Sequence, residues 1–135
     1  ESSVQLMLDL VRHIDARPLL LEPDRHDRLV AAISHLPYAV SSALVAHVAA
    51  VGTEDAQVWD VAASGFRDTS RVAASEVKVM LDILLTNRTA VLAAIDDYQE
   101  MLTGLRELLE RRDEGGLKTL LGSNAEARKA WQERD

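Results

Sequence analysis

Val77, Met80, Leu84, Val91, Ile95, Tyr98, Leu102, Leu105 and Leu109 hold one face at helical spacing over residues 76–112. Apolar residues recurring every three to four positions mark an amphipathic helix, and no strand-like alternation competes with them here. The spacing predicts one long helix from about Glu76 to about Arg112, with Ser75 as its N-cap. A helix of roughly 35 residues is about 50 Å long, more than a domain of this size covers by itself. The stripe therefore predicts a partner subunit. The expected fold is all-α, a helical bundle, and the expected assembly is a homodimer.

The same period organises the rest of the chain. Val4, Leu8, Val11 and Ile14 predict a short amphipathic helix over residues 2–15. An extended piece follows over 16–21, and Glu22-Pro23-Asp24 marks a break with Asp24 as the next N-cap. From there to about Val51 the pattern predicts one helix carrying Pro37 inside it, so a kink is expected close to His35. Thr53 is expected to cap a helix across 56–63, Ser64-Gly65 to end it, and residues 68–74 to form a short helix. Gly115-Gly116 should break the long helix before a final, more polar one over 117–131.

Composition fits helix-on-helix packing: 47% of the residues are hydrophobic but only 4% aromatic, so aliphatic side chains must fill the core. A formal charge of −7 excludes a phosphate-backbone partner, which needs a basic stripe; no nucleic acid is expected. The absence of cysteine rules out a disulfide framework and thiolate chemistry and suits a cytoplasmic location. His47 and Glu54 interrupt the most hydrophobic stretch, Ala39–Val51, so no membrane span is expected. The chain opens on Glu1, with no visible signal peptide, as a piece cut at a domain boundary would.

Within this greasy sequence three polar clusters call for an explanation, because burying unpartnered polar groups is costly. His26-Asp27 stands at a helix start, where the carboxylate can orient the imidazole or cap backbone amides; capping beside a solvated histidine is the simpler reading. Ser34-His35-Leu36-Pro37 combines a helix-interrupting proline with side chains that could satisfy the freed backbone or point into a cleft. On spacing alone, His35 reads as a core histidine bonded to backbone.

The third cluster is Ser64-Gly65-Phe66-Arg67-Asp68-Thr69-Ser70-Arg71. Gly65 permits a turn that a side chain would forbid, and Asp68 can cap the helix carrying Arg71. The simpler reading is a capped helix with a surface ion pair, worth little. The functional reading is a guanidinium fork on a substrate carboxylate, a geometry lysine fits poorly. His13 and His47 read as isolated helix-face histidines, and Trp59 and Trp131 as packing residues. No spacing suits a metal.

His26-Asp27, the Ser34–Pro37 run and the Gly65–Arg71 run, in this order and separation, resemble the C-terminal helical domain of prephenate and arogenate dehydrogenases. The resemblance extends from about Val11 to about Arg112. It implies that residues 1–23 are a linker helix and extended segment from a preceding cofactor domain, and 24–135 the helical substrate-cleft and dimerisation domain. It implies that Ser34, His35, Tyr38 and Gly65 belong to the substrate-binding cleft and that Arg71 binds prephenate. Arg67 and Asp68 would gate the cleft mouth, reaching toward the partner subunit's site, and His26 and Asp27 would play a structural or substrate-proximal part.

Three departures stand out. Tyr38 replaces a second histidine often found in the family, keeping a hydroxyl donor but losing a possible cation. Val77 and Met80 stand where the family usually has proline and tryptophan. Asn87 does match a family asparagine and reads as a helix-register or interface residue.

By the same resemblance, the intact enzyme oxidises prephenate or arogenate with NAD or NADP, and loss of carbon dioxide aromatises the ring. The chain has no Gly-x-Gly-x-x-Gly after a strand. The resemblance implies that the cofactor and the proton-abstracting histidine belong to an N-terminal domain outside this chain, leaving no catalytic residue here. Two other classes remain open: a purely structural dimerisation module, and an effector domain that senses tyrosine as an inhibitor in the same cleft. An unrelated helical bundle would betray itself by never dimerising.

Overall fold

The computed structural model describes residues 2–134, in which seven α-helices and shorter helical turns occur with no strand. Helix α1 spans Ser3–His13, α2 Pro23–Val30, α3 Leu36–Glu54, α4 Ser64–Ser70, α5 Val77–Thr86, α6 Arg88–Glu110 and α7 Glu114–Gln132. A π-helical turn, Ala31–His35, joins α2 to α3, so Pro23–Glu54 is one continuous helix of 32 residues. Two 3₁₀ turns, Ala56–Trp59 and Arg71–Ala74, connect α3 to α4 and α4 to α5.

The long helix expected over 76–112 is two helices. Asn87 leaves helical geometry at φ −100°, ψ 29°, between α5 and α6. Asparagine is a poor helix former because its amide competes for hydrogen bonds, and here that amide is engaged elsewhere in the fold. The stop after α6 also differs. Arg112 takes a left-handed φ of 51° and the Asp113 amide donates to the Leu108 carbonyl, a Schellman-type ending. Gly115 and Gly116 instead open α7, where Asp113 accepts from the Gly116 amide at 2.9 Å. A Cβ on Gly116 would stand 2.6 Å from Leu108 Cδ2, so glycine permits the close approach of α6 and α7.

Several caps are displaced by a residue or two. Glu22, not Asp24, occupies the N-cap of α2. Thr53 lies in the last turn of α3 and bonds the Ala50 carbonyl, while Asp55 caps the 3₁₀ turn. Ser75 donates to the Val72 carbonyl, and Glu76 caps α5 through the amides of Lys78 and Val79.

By length and composition Pro23–Glu54 is apolar enough to cross a membrane, with a mean hydropathy of 1.6 in its best window, contrary to the sequence expectation. It contacts α4, α6 and both 3₁₀ turns, and 17% of that window is buried in the described chain.

The described chain has very little interior. Ala31 and Val91, where the π turn meets α6, are the buried apolar residues, and His35 and Ser41 the buried polar ones. Many large apolar side chains face outward, among them Met7, Leu20, Leu81, Met101, Leu102 and Leu109. The accessible surface is 11206 Å², whereas a compact monomer of this length exposes roughly 7,000 Å². Helices α3 and α6 are splayed, and Leu36, Val40, Leu44, Ile95, Tyr98 and Leu102 line an open apolar groove of about 410 Å³ between them. Trp59 packs edge-on against Phe66 and close to Gly52 on α3, as befits a packing residue.

Candidate functional site

The site begins at a proline. Pro37 has no amide hydrogen, and in a regular α-helix its ring clashes with the carbonyl four residues back. The preceding turn is widened instead: Leu36 donates to the Ala31 carbonyl, five residues back. Such π turns are rare and concentrate at functional sites. The kink expected near His35 takes this form.

His35, at the end of the π turn, is 9% exposed, and its Nδ1 lies 3.3 Å from Nδ2 of Asn87. The same Asn87 nitrogen donates to the Asp27 carbonyl at 2.8 Å. Asn87 thus ties the break between α5 and α6 to both α2 and the π turn, a role the register reading missed. Around this junction His26, Asp27, Ser34, His35, Ile83 and Asn87 line an open groove of about 400 Å³. His26 Nδ1 lies 3.1 Å from Asp27 Oδ1; both side chains are more than half exposed, so the pair adds little stability. Asp82, also on the groove, is paired with Lys78 at 2.9 Å.

The arginine cluster stands on a different segment. Ser64-Gly65 starts α4 rather than ending a helix. Gly65 has no positive φ, and a Cβ there would meet open space, so no turn depends on it. Asp68 does not cap; its carboxylate lies 3.4 Å from Arg67 Nε in an exposed pair. Arg71 opens the following 3₁₀ turn, is exposed, and pairs with no carboxylate among the described residues. The ion-pair reading of Asp68 therefore involves Arg67 and leaves Arg71 available.

Ser41, which the sequence did not single out, holds this turn in place. It is 1% exposed on α3, and its Oγ accepts the Ala73 amide at 3.1 Å. One of two adjacent serines, Ser41-Ser42, amid Ala, Val and Leu carries no local signal of such a partner. Ser41→Ala should remove this tie between α3 and the turn and lower stability by about 0.5–1.5 kcal/mol. A urea unfolding midpoint checks this; an unchanged midpoint would mean the bond contributes nothing net.

Within one chain the fold gathers His26, Asp27, Ser34 and His35 on one groove. It does not bring Arg71, Arg67, Asp68, Gly65 or Tyr38 to that groove; Tyr38 is half-buried on the first turn of α3. His47 lies on the apolar groove between α3 and α6, and Val77 is exposed. Among the described residues the one glycine pair at a helix start, Gly115-Gly116 on α7, follows helix α6 and not a strand.

Residues 22–123 match a family model described as "Prephenate dehydrogenase, dimerization domain". The chain belongs to that family. This dimerization domain is 29% identical to a prephenate dehydrogenase of Bacillus subtilis, over 84% of its own length and 30% of the relative's. In structure it is similar to Synechocystis arogenate dehydrogenase, at a TM-score of 0.85 and 30% identity, covering 96% of this chain and 48% of that one. It also resembles prephenate dehydrogenase from A. aeolicus, solved with hydroxyphenyl propionate and NAD+, at 0.89 and 28%, covering 94% and 44%. The dimerization domain spans 30% to 38% of the curated relatives' length.

Proposed function

We propose that this dimerization domain is the C-terminal part of a prephenate or arogenate dehydrogenase of tyrosine biosynthesis, acting in the cytoplasm. The observation that carries the reading is the match over 22–123 together with the clustering of His26, Asp27, Ser34 and His35 on one groove. NAD or NADP would bind a preceding domain outside these residues and take up the hydride. Helix α1 and residues 16–22 form the linker to it. The exposed Val4, Met7, Leu19 and Leu20 support this by offering apolar surface that nothing in the described chain covers.

The task of this domain is to orient the substrate and place charge around it, since aromatisation supplies much of the driving force. Arg71 is the carboxylate clamp: a permanently charged fork, without a competing carboxylate, on a turn pinned to α3 by Ser41. Ser34 and His35 supply polar cleft lining. Arg67 and Asp68 gate the cleft mouth. Because Arg71 stands off the His35 groove, clamp and lining meet through the preceding domain or the second subunit.

The 135-residue chain alone should bind no NADH in a calorimetric titration, and tight binding would contradict the reading. A protein including the preceding domain should reduce the nicotinamide only when prephenate or arogenate is present.

A further inference from the structure

We propose that Asn87 is a positioning residue that holds His35 as its Nε2–H tautomer and so presents a hydrogen-bond donor to the groove. The assignment follows from the partners. The Asp27 carbonyl can only accept, so the Asn87 atom 2.8 Å from it must be the amide nitrogen. That nitrogen's second hydrogen is then directed at His35 Nδ1, 3.3 Å away. A nitrogen that accepts carries no proton, so in the neutral ring the proton sits on Nε2.

Two further observations fit. No buried side-chain nitrogen or oxygen among the described residues lacks a hydrogen-bond partner. Nε2 has no partner among them, so it is not sealed in the core; His35 lines the open groove beside Ser34. Asn87 also interrupts the helix to reach these groups, although its backbone still bonds Ile83 and Val91 on either side.

The bonds join residues 60 and 52 positions apart. They make the tautomer a property of packing between the start of α6 and the π turn. The step from tautomer to substrate rests on the cleft reading above: Nε2–H donates to an oxygen of the bound ring acid.

Nitrogen-15 NMR of histidine-labelled protein, with the preceding domain present, reads the tautomer without any substitution. A protonated Nε2 and bare Nδ1 at His35 is the expected pattern; a protonated Nδ1 overturns the proposal. Kinetics then test the coupling. Asn87→Ala should raise KM for the ring acid about tenfold with little change in kcat. In a His35→Ala background it should add nothing, because the residue acts through that ring. An equal rise with and without His35, or no rise where His35→Ala gives one, overturns the positioning role. If His35→Ala itself leaves KM unchanged, the cleft reading fails instead, and the nitrogen spectrum still decides the tautomer.

Discussion

Arg71→Ala, made in the protein that includes the preceding domain, is expected to raise KM for prephenate by one to two decades while leaving the cofactor's KM little changed. A charge-assisted fork on a substrate carboxylate contributes roughly 1.5–3 kcal/mol, and each 1.4 kcal/mol is about a tenfold change in affinity. The arginine has no carboxylate partner among the described residues, so its removal should cost little stability. Arg71→Lys should recover part of the loss, since a point charge replaces two aligned donors. Steady-state kinetics with both variants check this. If prephenate kinetics are unchanged in Arg71→Ala, the clamp falls and the domain is left as a dimerisation scaffold.

Leu102→Asp is expected to break the assembly. The wild-type chain should sediment as a dimer at micromolar concentration, because it exposes about 4,000 Å² more than a compact monomer would, more than the roughly 1,000–2,500 Å² that each partner commonly gives to an obligate interface. Leu102 is 47% exposed at the rim of the apolar groove between α3 and α6. If a second copy covers that groove, the substitution places an unpaired carboxylate in an apolar interface. The cost is several kcal/mol, and two-fold symmetry applies it twice. Sedimentation should show dissociation, with a parallel loss of helical circular dichroism. A wild-type monomer at micromolar concentration would remove the dimer proposal, and an intact Leu102→Asp dimer would move the interface off this groove.

The polar runs at 34–37 and 64–71 lay inside a recognisable sequence order, and that order led to the right family. The geometry they were expected to adopt was less legible. Gly65 read as a turn residue yet sits in the first turn of α4. Glycine only permits unusual backbone, and nothing in the adjacent residues shows whether the permission is used. Thr53, Ser75 and Asp24 were each plausible caps, but Asp55 and Glu76 took the role from the first two, and Glu22 holds the N-cap position of α2 without a side-chain bond. Adjacent candidates differ by fractions of a kcal/mol, so packing decides among them.

Helical period, apolar stripe and the proline-induced disturbance near His35 were determined by the sequence itself, because each depends on residues within one or two turns. The surplus of apolar faces was also legible, since a stripe too long for its own domain needs another surface. Only the tertiary structure decided that Asn87 splits the expected helix, and that its amide spans Asp27 and His35. It alone pinned Ala73 to Ser41 and set Arg71 apart from the histidine groove. Those outcomes depend on hydrogen bonds between residues 32 to 60 positions apart, and no local pattern records which distant carbonyl or amide a side chain will meet once the helices pack.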